Sequence, residues 1–332
     1  MRYILTFIIV VAAAVSSFGL DASRGSSGAQ FLEIGVGSRY QGMGEASAAT
    51  AGDVYAMYWN PAGLTEIENA AVSFTNVNWL LDIDLNYVGY AKYFEDVGVF
   101  GISATLLSMD KQEITTLQDQ DGTGQFYSAS SYAVGVSFAR QLTTKFAFGA
   151  TVKYVGEKID FVKSQGIAFD FGTMLYTGYR SLRLGMSITN MGPNLRFDGN
   201  NLEVGYDALG GSGSNSEIQA RLVPTGYAMP LAFRFGIAYD MDIGPMSTVT
   251  LAADLEHPND LNQQGALGAE FGYDNRYFLR GGYKINSDEE TLSFGGGLDM
   301  PISGSSQIQI DYAWQDFGRL STTHRFSVGF TF

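Results

Sequence analysis

From Ala70 to the end of the chain the sequence breaks into segments of about ten residues in which apolar and polar side chains alternate. That length is what a tilted strand needs to cross a bilayer, and a period of two with one apolar face is the pattern of a half-exposed strand. LRLGMSI sets Leu182, Leu184, Met186 and Ile188 against Arg183, Gly185 and Ser187. KFAFGATVKY, TVTLAADLE and QIQIDYAW repeat the arrangement, the last with Ile308, Ile310, Tyr312 and Trp314 opposite Gln307, Gln309 and Asp311. The pattern predicts about fourteen strands, near 70–79, 85–94, 97–109, 126–139, 145–157, 165–176, 181–190, 229–240, 246–256, 263–273, 275–284, 290–300, 305–314 and 323–332. The first three alternate poorly, so pattern does not set their registers.

The links between these segments sort by length. ED (95–96), QLTT (141–144), TGYR (177–180), MDIGP (241–245), DN (274–275) and PISG (301–304) follow every second strand and are tight. At the other rim the links at 110–125 and 191–228 are long, the first is short and the others intermediate. Short turns at one rim with longer loops at the other is the habit of outer-membrane barrels, and a soluble sandwich has no reason to sort its loops so. The expected fold is therefore all-β, a transmembrane antiparallel β-barrel of about 14 strands. Charged residues make up only 16% of the chain, against about 25% in soluble proteins. The mean hydropathy of +0.01 is too low for a helical membrane protein and suits alternating strands.

An Arg or Lys facing lipid at mid-bilayer costs about 2–4 kcal/mol, which sends Arg183, Arg234, Arg280 and Arg325 inward. Asp170, Asp254, Asp299 and Asp311 share that parity and can pair with them, giving a polar lumen. About fourteen strands enclose more space than side chains alone fill, so a plug is needed. Residues 1–19, MRYILTFIIVVAAAVSSFG, read as a secretory signal peptide, with an uncleaved anchor helix as the alternative. Residues 20–69 then supply the plug, or hatch, and residues 70–332 the barrel. The plug segment is rich in Gly and Ala, with a short helical candidate after Asp53.

That segment ends in YWNPAGL. Pro61 lacks a donor and pushes Asn60 out of the helical region, so the helix stops there. The Asn60 amide can bond nearby backbone, and Gly63 allows a turn into the first strand. Asn60, Pro61, Ala62 and Gly63 are read as a structural hatch motif, a rigid elbow between plug and wall. At the other end, Phe326, Val328, Phe330 and Phe332 alternate to a terminal aromatic, and this resembles the signal by which outer-membrane barrels are recognised for insertion.

The residues from Phe31 to Leu64, especially GVGSRYQGMGEA and AGDVYAMYWNPAGL, resemble the PorV/PorQ family of outer-membrane proteins within the wider FadL-like superfamily. The likeness implies a fourteen-stranded barrel with an Asn-Pro-Ala hatch motif, here Asn60, Pro61 and Ala62. It implies a binding or secretion-associated role of type IX kind, with secreted cargo proteins as partners. The alternative is a FadL-like channel for uptake of hydrophobic small molecules.

Other classes find little support. The net charge of −14 offers no basic face for nucleic acid. There is no cysteine, and the two histidines, His257 and His324, are far apart and lie in no catalytic motif. DQDG (119–122) lacks the full calcium-loop spacing, and GGSGSN (210–215) reads as a flexible linker. The chain is expected to be no enzyme, to carry no cofactor or metal, and to stand as a monomeric barrel in the outer membrane of a Gram-negative (diderm) bacterium. Its expected neighbours are outer-membrane lipid and the barrel insertion machinery. The 191–228 loop, with Leu202, Val204, Leu209, Leu222 and Val223, is expected to fold over the outer mouth as a recognition surface, because loops this long are usually functional or disordered.

Overall fold

The computed structural model describes residues 25–206 and 218–332. The signal-peptide reading of residues 1–19, Leu209 and the 210–215 linker lie outside them. Fourteen strands close into one antiparallel barrel: β1 Ala70–Asn78, β2 Ile83–Phe94, β3 Gly98–Met109, β4 Ala129–Thr143, β5 Phe146–Ile159, β6 Val162–Tyr176, β7 Arg183–Met191, β8 Ala232–Gly244, β9 Ser247–Pro258, β10 Gln264–Tyr273, β11 Tyr277–Ile285, β12 Leu292–Ser303, β13 Ser306–Asp316 and β14 Thr322–Thr331. Each pairs with its chain neighbours, and β14 closes on β1 from Ala71↔Thr331 to Asn78↔His324. Closure leaves no edge in hydrocarbon, where each unpaired backbone group costs several kcal/mol.

Alternation fixes the faces as expected. Phe100, Ile102, Val134, Val136, Met186 and Phe294 are exposed to the outside, while Ser137, Thr151, Asp170, Ser187, Arg234, Arg280 and Arg325 are buried within. The short turns lie at the inner rim and the long loops at the outer. One link differs from expectation: β5 and β6 are joined by two residues, 160–161, with the ladder running to Ile159↔Val162 and Asp160 at φ 52°. Polar residues at 157, 158 and 163 stay paired as strand beyond the apolar band, and this shortens the loop.

The weak alternation of β1–β3 has a physical cause. Their inward residues include Val77, Leu85, Tyr87 and Val99, all essentially buried against an apolar cluster of the N-terminal segment with Val54, Tyr55 and Met57. The lumen is thus not uniformly polar, a correction to the wet interior expected. One side is greasy where the plug is greasy, and ion pairs occupy the other.

The plug occupies the cylinder as short pieces: a 3₁₀ turn Gln30–Glu33, α1 Ser38–Gly42, α2 Ala56–Trp59 and a 3₁₀ turn Pro61–Glu66. It begins at the outer mouth, where the Gly28 amide donates to Ala228 O at 2.9 Å, and ends at the inner rim, where Tyr176 donates to Glu66. Inward glycines of the wall meet it around the circumference. A Cβ on Gly185 would stand 1.8 Å from Ala48 O, and one on Gly282 2.0 Å from Gly44 N. Gly89, Gly149, Gly172 and Gly268 make similar contacts with plug atoms. Gly89 makes room for the Val54 and Met57 side chains, and the others let plug backbone lie directly on the wall.

Candidate functional site

Two features carry the functional geometry: the seal between plug and wall, and a cavity above it. The seal is built around YWNPAGL. Asn60 is fully buried and extended (φ −154°), ending α2. Its Oδ1 accepts from the Ala62 amide at 3.2 Å, and its Nδ2 donates to Ala48 O at 2.6 Å and to Thr173 O of β6 at 3.1 Å. One side chain therefore ties two plug segments to the barrel. Pro61 opens the following turn, where its missing donor costs nothing. Pro61 and Ala62 pack on Gly149 and Gly172.

Gly63 stands in the turn that leads from the plug toward β1. It lies inside the Pro61–Glu66 turn, where a Cβ would stand 1.9 Å from Ala51 O, so close approach rather than turn geometry demands glycine. The motif lies buried in the lumen, where Asn60 joins plug to wall. Trp59 Nε1 donates to Val36 O at 2.9 Å, Tyr58 Oη to Leu32 O at 2.8 Å, and the Arg234 guanidinium lies 5.3 Å from the Trp59 ring centre.

Charged wall residues complete the seal. Asp254 accepts from the amides of Ser47 and Ala48 at 2.7 and 2.6 Å, holding plug backbone rather than a wall cation. Arg280 pairs with Glu270 at 2.6 Å and Asp311 at 2.5 Å, and Arg39 of the plug reaches the same Glu270 at 2.9 Å. Lys284 holds Glu45 of the plug at 2.5 Å together with Glu290. Asp170 pairs with Lys153 at 2.8 Å, and Arg183 with Asp240 at 3.0 Å near the inner rim. Arg325 is buried without an ion pair among the described residues, donating instead to Gly35 O, Gln315 and Thr323, and Asp299 has none there either. Removing one partner of a buried pair leaves an uncompensated charge, worth about 3–5 kcal/mol. Arg280→Met is thus expected to lower the urea midpoint of vesicle-embedded protein far more than Arg183→Met, whose pair is partly solvated.

Above the seal lies a cavity of about 440 Å³ at the outer mouth, one wall formed by Phe31, Trp79, Leu107 and Phe317 and the floor by Glu45, Arg234, Glu256 and Lys284. A second cavity of about 440 Å³ opens at the inner rim around Glu66, Lys145, Tyr176 and Arg183. The two share no lining residue. Glu45, Lys284, Glu256 and Trp79 carry this geometry and were not singled out by sequence reasoning. Lys284 shares the inward parity of Arg280, so half of that pair was readable.

The long outer loop divides in two. Leu195 is buried against Gly166 and its backbone pairs with Tyr227 at 2.8 and 2.9 Å, beyond Phe169, where the β6–β7 ladder shifts register. Beyond it Glu203–Tyr206 and Ile218–Arg221 form a small hairpin, with Val204, Leu222 and Val223 exposed. Phe326, Val328 and Phe332 face outward on or just past β14, and the Phe332 amide donates to Ala70 O at 2.9 Å. His324 stacks on Tyr312 in the outer face, and His257 is an exposed residue of β9.

A family model described as "Type IX secretion system protein PorV" matches residues 21–212. Comparison with curated proteins gives no match. Among solved structures the fold is similar to the CymD monoaromatic hydrocarbon channel (TM-score 0.57, 13% identity, covering 90% of this chain and 98% of that one). It is also similar to the Ralstonia pickettii toluene transporter TbuX (0.56, 15%, 89% and 97%) and the Pseudomonas putida toluene transporter TodX (0.59, 13%, 90% and 98%).

Proposed function

This chain belongs to the PorV family of outer-membrane barrels from Gram-negative bacteria, and on that footing we propose that it is a corked docking component for secreted proteins rather than a conduit. The observation that carries the reading is the seal. Trp59, Tyr40, Met43 and Met57 of the plug are all at most 1% exposed in mid-lumen, and wall glycines bring plug backbone into contact with the barrel. A pore closed by bonded backbone does not suit solute flow. What remains available for work is the outer rim, where Val204, Leu222 and Val223 of the long loop and the tips at Leu81, Leu117 and Phe161 expose apolar side chains. Such surfaces suit recognition of a protein partner. The barrel acts as a monomer, with cargo or secretion-machinery proteins binding from outside.

The second reading is uptake of a hydrophobic small molecule, and the observation in its favour is the aromatic wall of the outer cavity. A solute leaving that cavity downward meets the Lys284 and Arg234 ion pairs, which disfavours passage of an apolar molecule.

Replacing residues 200–221 by a short Gly-Ser linker keeps the Leu195–Tyr227 pairing and is expected to leave the heat-modifiable mobility of the barrel unchanged. Purified from its own outer membrane, the variant should lose most of the proteins that accompany the parent chain. Undiminished co-purification would contradict docking through this loop, and a co-extracted hydrophobic compound in its place would favour uptake.

A further inference from the structure

The outer cavity combines three features that the docking reading does not use. Its wall is aromatic, with Trp79 and Phe317 in edge-to-face contact at 4.9 Å beside Phe31. Carboxylates outnumber cations six to two among its lining residues, and both cations are committed, Arg234 to Glu256 at 2.5 Å and Lys284 to Glu45 and Glu290. Glu33, by contrast, has no ion pair among the described residues. It faces Asp260, which is only 2% exposed and accepts from Ser27 and Gln30 through Oδ2. Asp260 Oδ1 is buried and has no donor among the described residues. The two carboxyls lie within hydrogen-bonding reach, so they share either a proton or, in its place, a positive charge.

We propose that the outer cavity is a binding site for an ammonium group borne on an apolar body, the charge held by Glu33, with the buried Asp260 carboxylate beside it adding its field, and the body lying against Trp79, Phe31 and Phe317. Aromatic faces attract cations as well as apolar surface, so one wall serves both halves of such a ligand. No group of three metal-binding side chains occurs among the described residues, and this favours an organic cation over a divalent ion. An apolar carboxylate would meet the same carboxyls as repulsion. The inference is independent of the docking reading, since the ligand can be a free amine or a lysine side chain of a protein.

Proton and ammonium compete for one place. Burial first, then the charges of Asp260 and Glu256, pushes the Glu33 carboxyl up to about 8, against the opposing pull of Arg234. Below that pH the carboxyl keeps its proton, and ammonium affinity is therefore expected to rise between pH 7 and pH 9, where a primary amine is still charged.

The test uses the full chain in lipid nanodiscs titrated with 4-phenylbutylamine, 4-phenylbutanol and 4-phenylbutyrate, read by ligand-observed NMR. The amine is expected to bind about tenfold tighter than the alcohol at pH 9 and the carboxylate least. Glu33→Gln should remove that advantage and its pH dependence while leaving alcohol binding unchanged. Asp260→Asn, with a side chain of the same shape, gives the same result if Glu33→Gln fails to fold. Competition by a Leu-Lys-Leu peptide, but not its norleucine analogue, would assign the natural ammonium to a protein. Failure of the peptide to compete would assign it to a free amine. Equal binding of all three probes, or an amine affinity indifferent to both substitutions, would overturn the proposal.

Discussion

Vesicles carrying Gly185→Leu should swell in sugar solution, whereas vesicles carrying the parent chain should not. A Cβ at position 185 would lie 1.8 Å from Ala48 O and 2.3 Å from Ala48 C, atoms of backbone that cannot rotate away. Either wall or plug must yield. The wall is a closed ladder, here Gly185↔Gly236, in hydrocarbon where each broken backbone bond costs several kcal/mol. Locally the plug is held by the Asn60 bonds and by Asp254. The plug is the softer element, so the substitution is expected to displace it and open the lumen while heat-modifiable mobility persists. Gly281→Leu is the control: it faces outward, with its nearest neighbour at 4.0 Å, and should leave the vesicles tight. Swelling by neither variant would mean that the contact at Ala48 does not hold the seal.

Deleting residues 322–332 should abolish the folded barrel altogether. β14 is the sole link between β13 and β1, and its loss exposes two strand edges to lipid at several kcal/mol for each unpaired group. The insertion-signal role proposed for Phe332 has a separate consequence. Phe332 faces outward and its backbone contact survives truncation of the side chain. Phe332→Ala should therefore refold normally into lipid vesicles in vitro yet accumulate less in the cellular outer membrane. Equal accumulation of variant and parent would remove the signalling role from Phe326, Val328, Phe330 and Phe332 and leave them as lipid-facing residues of the closing strand.

Much of the wall was readable because lipid enforces period two on any strand that meets water or charge inside. β4 to β14 obey that rule, and their expected positions fall within a few residues of those observed. β1–β3 obscured it because Val77, Leu85, Tyr87 and Val99 face Val54, Tyr55 and Met57, so both strand faces are apolar. The path of the plug was not readable. Its Gly- and Ala-rich pieces have no sustained period, and they follow the wall rather than their own propensity. The pairing of Glu45 with Lys284 depends on that path, which no local pattern encodes. The glycine belt was partly visible: Gly149 in β5, Gly185 in β7 and Gly268 in β10 stand at inward parity in alternating strands, where a polar residue would otherwise be expected. An inward glycine in a wide barrel signals something solid against it.

Single-channel recording of the unmodified protein in a planar bilayer tests the account most directly. The corked cylinder predicts insertion without a steady conductance, and a steady open channel of porin size from the unmodified protein would contradict it.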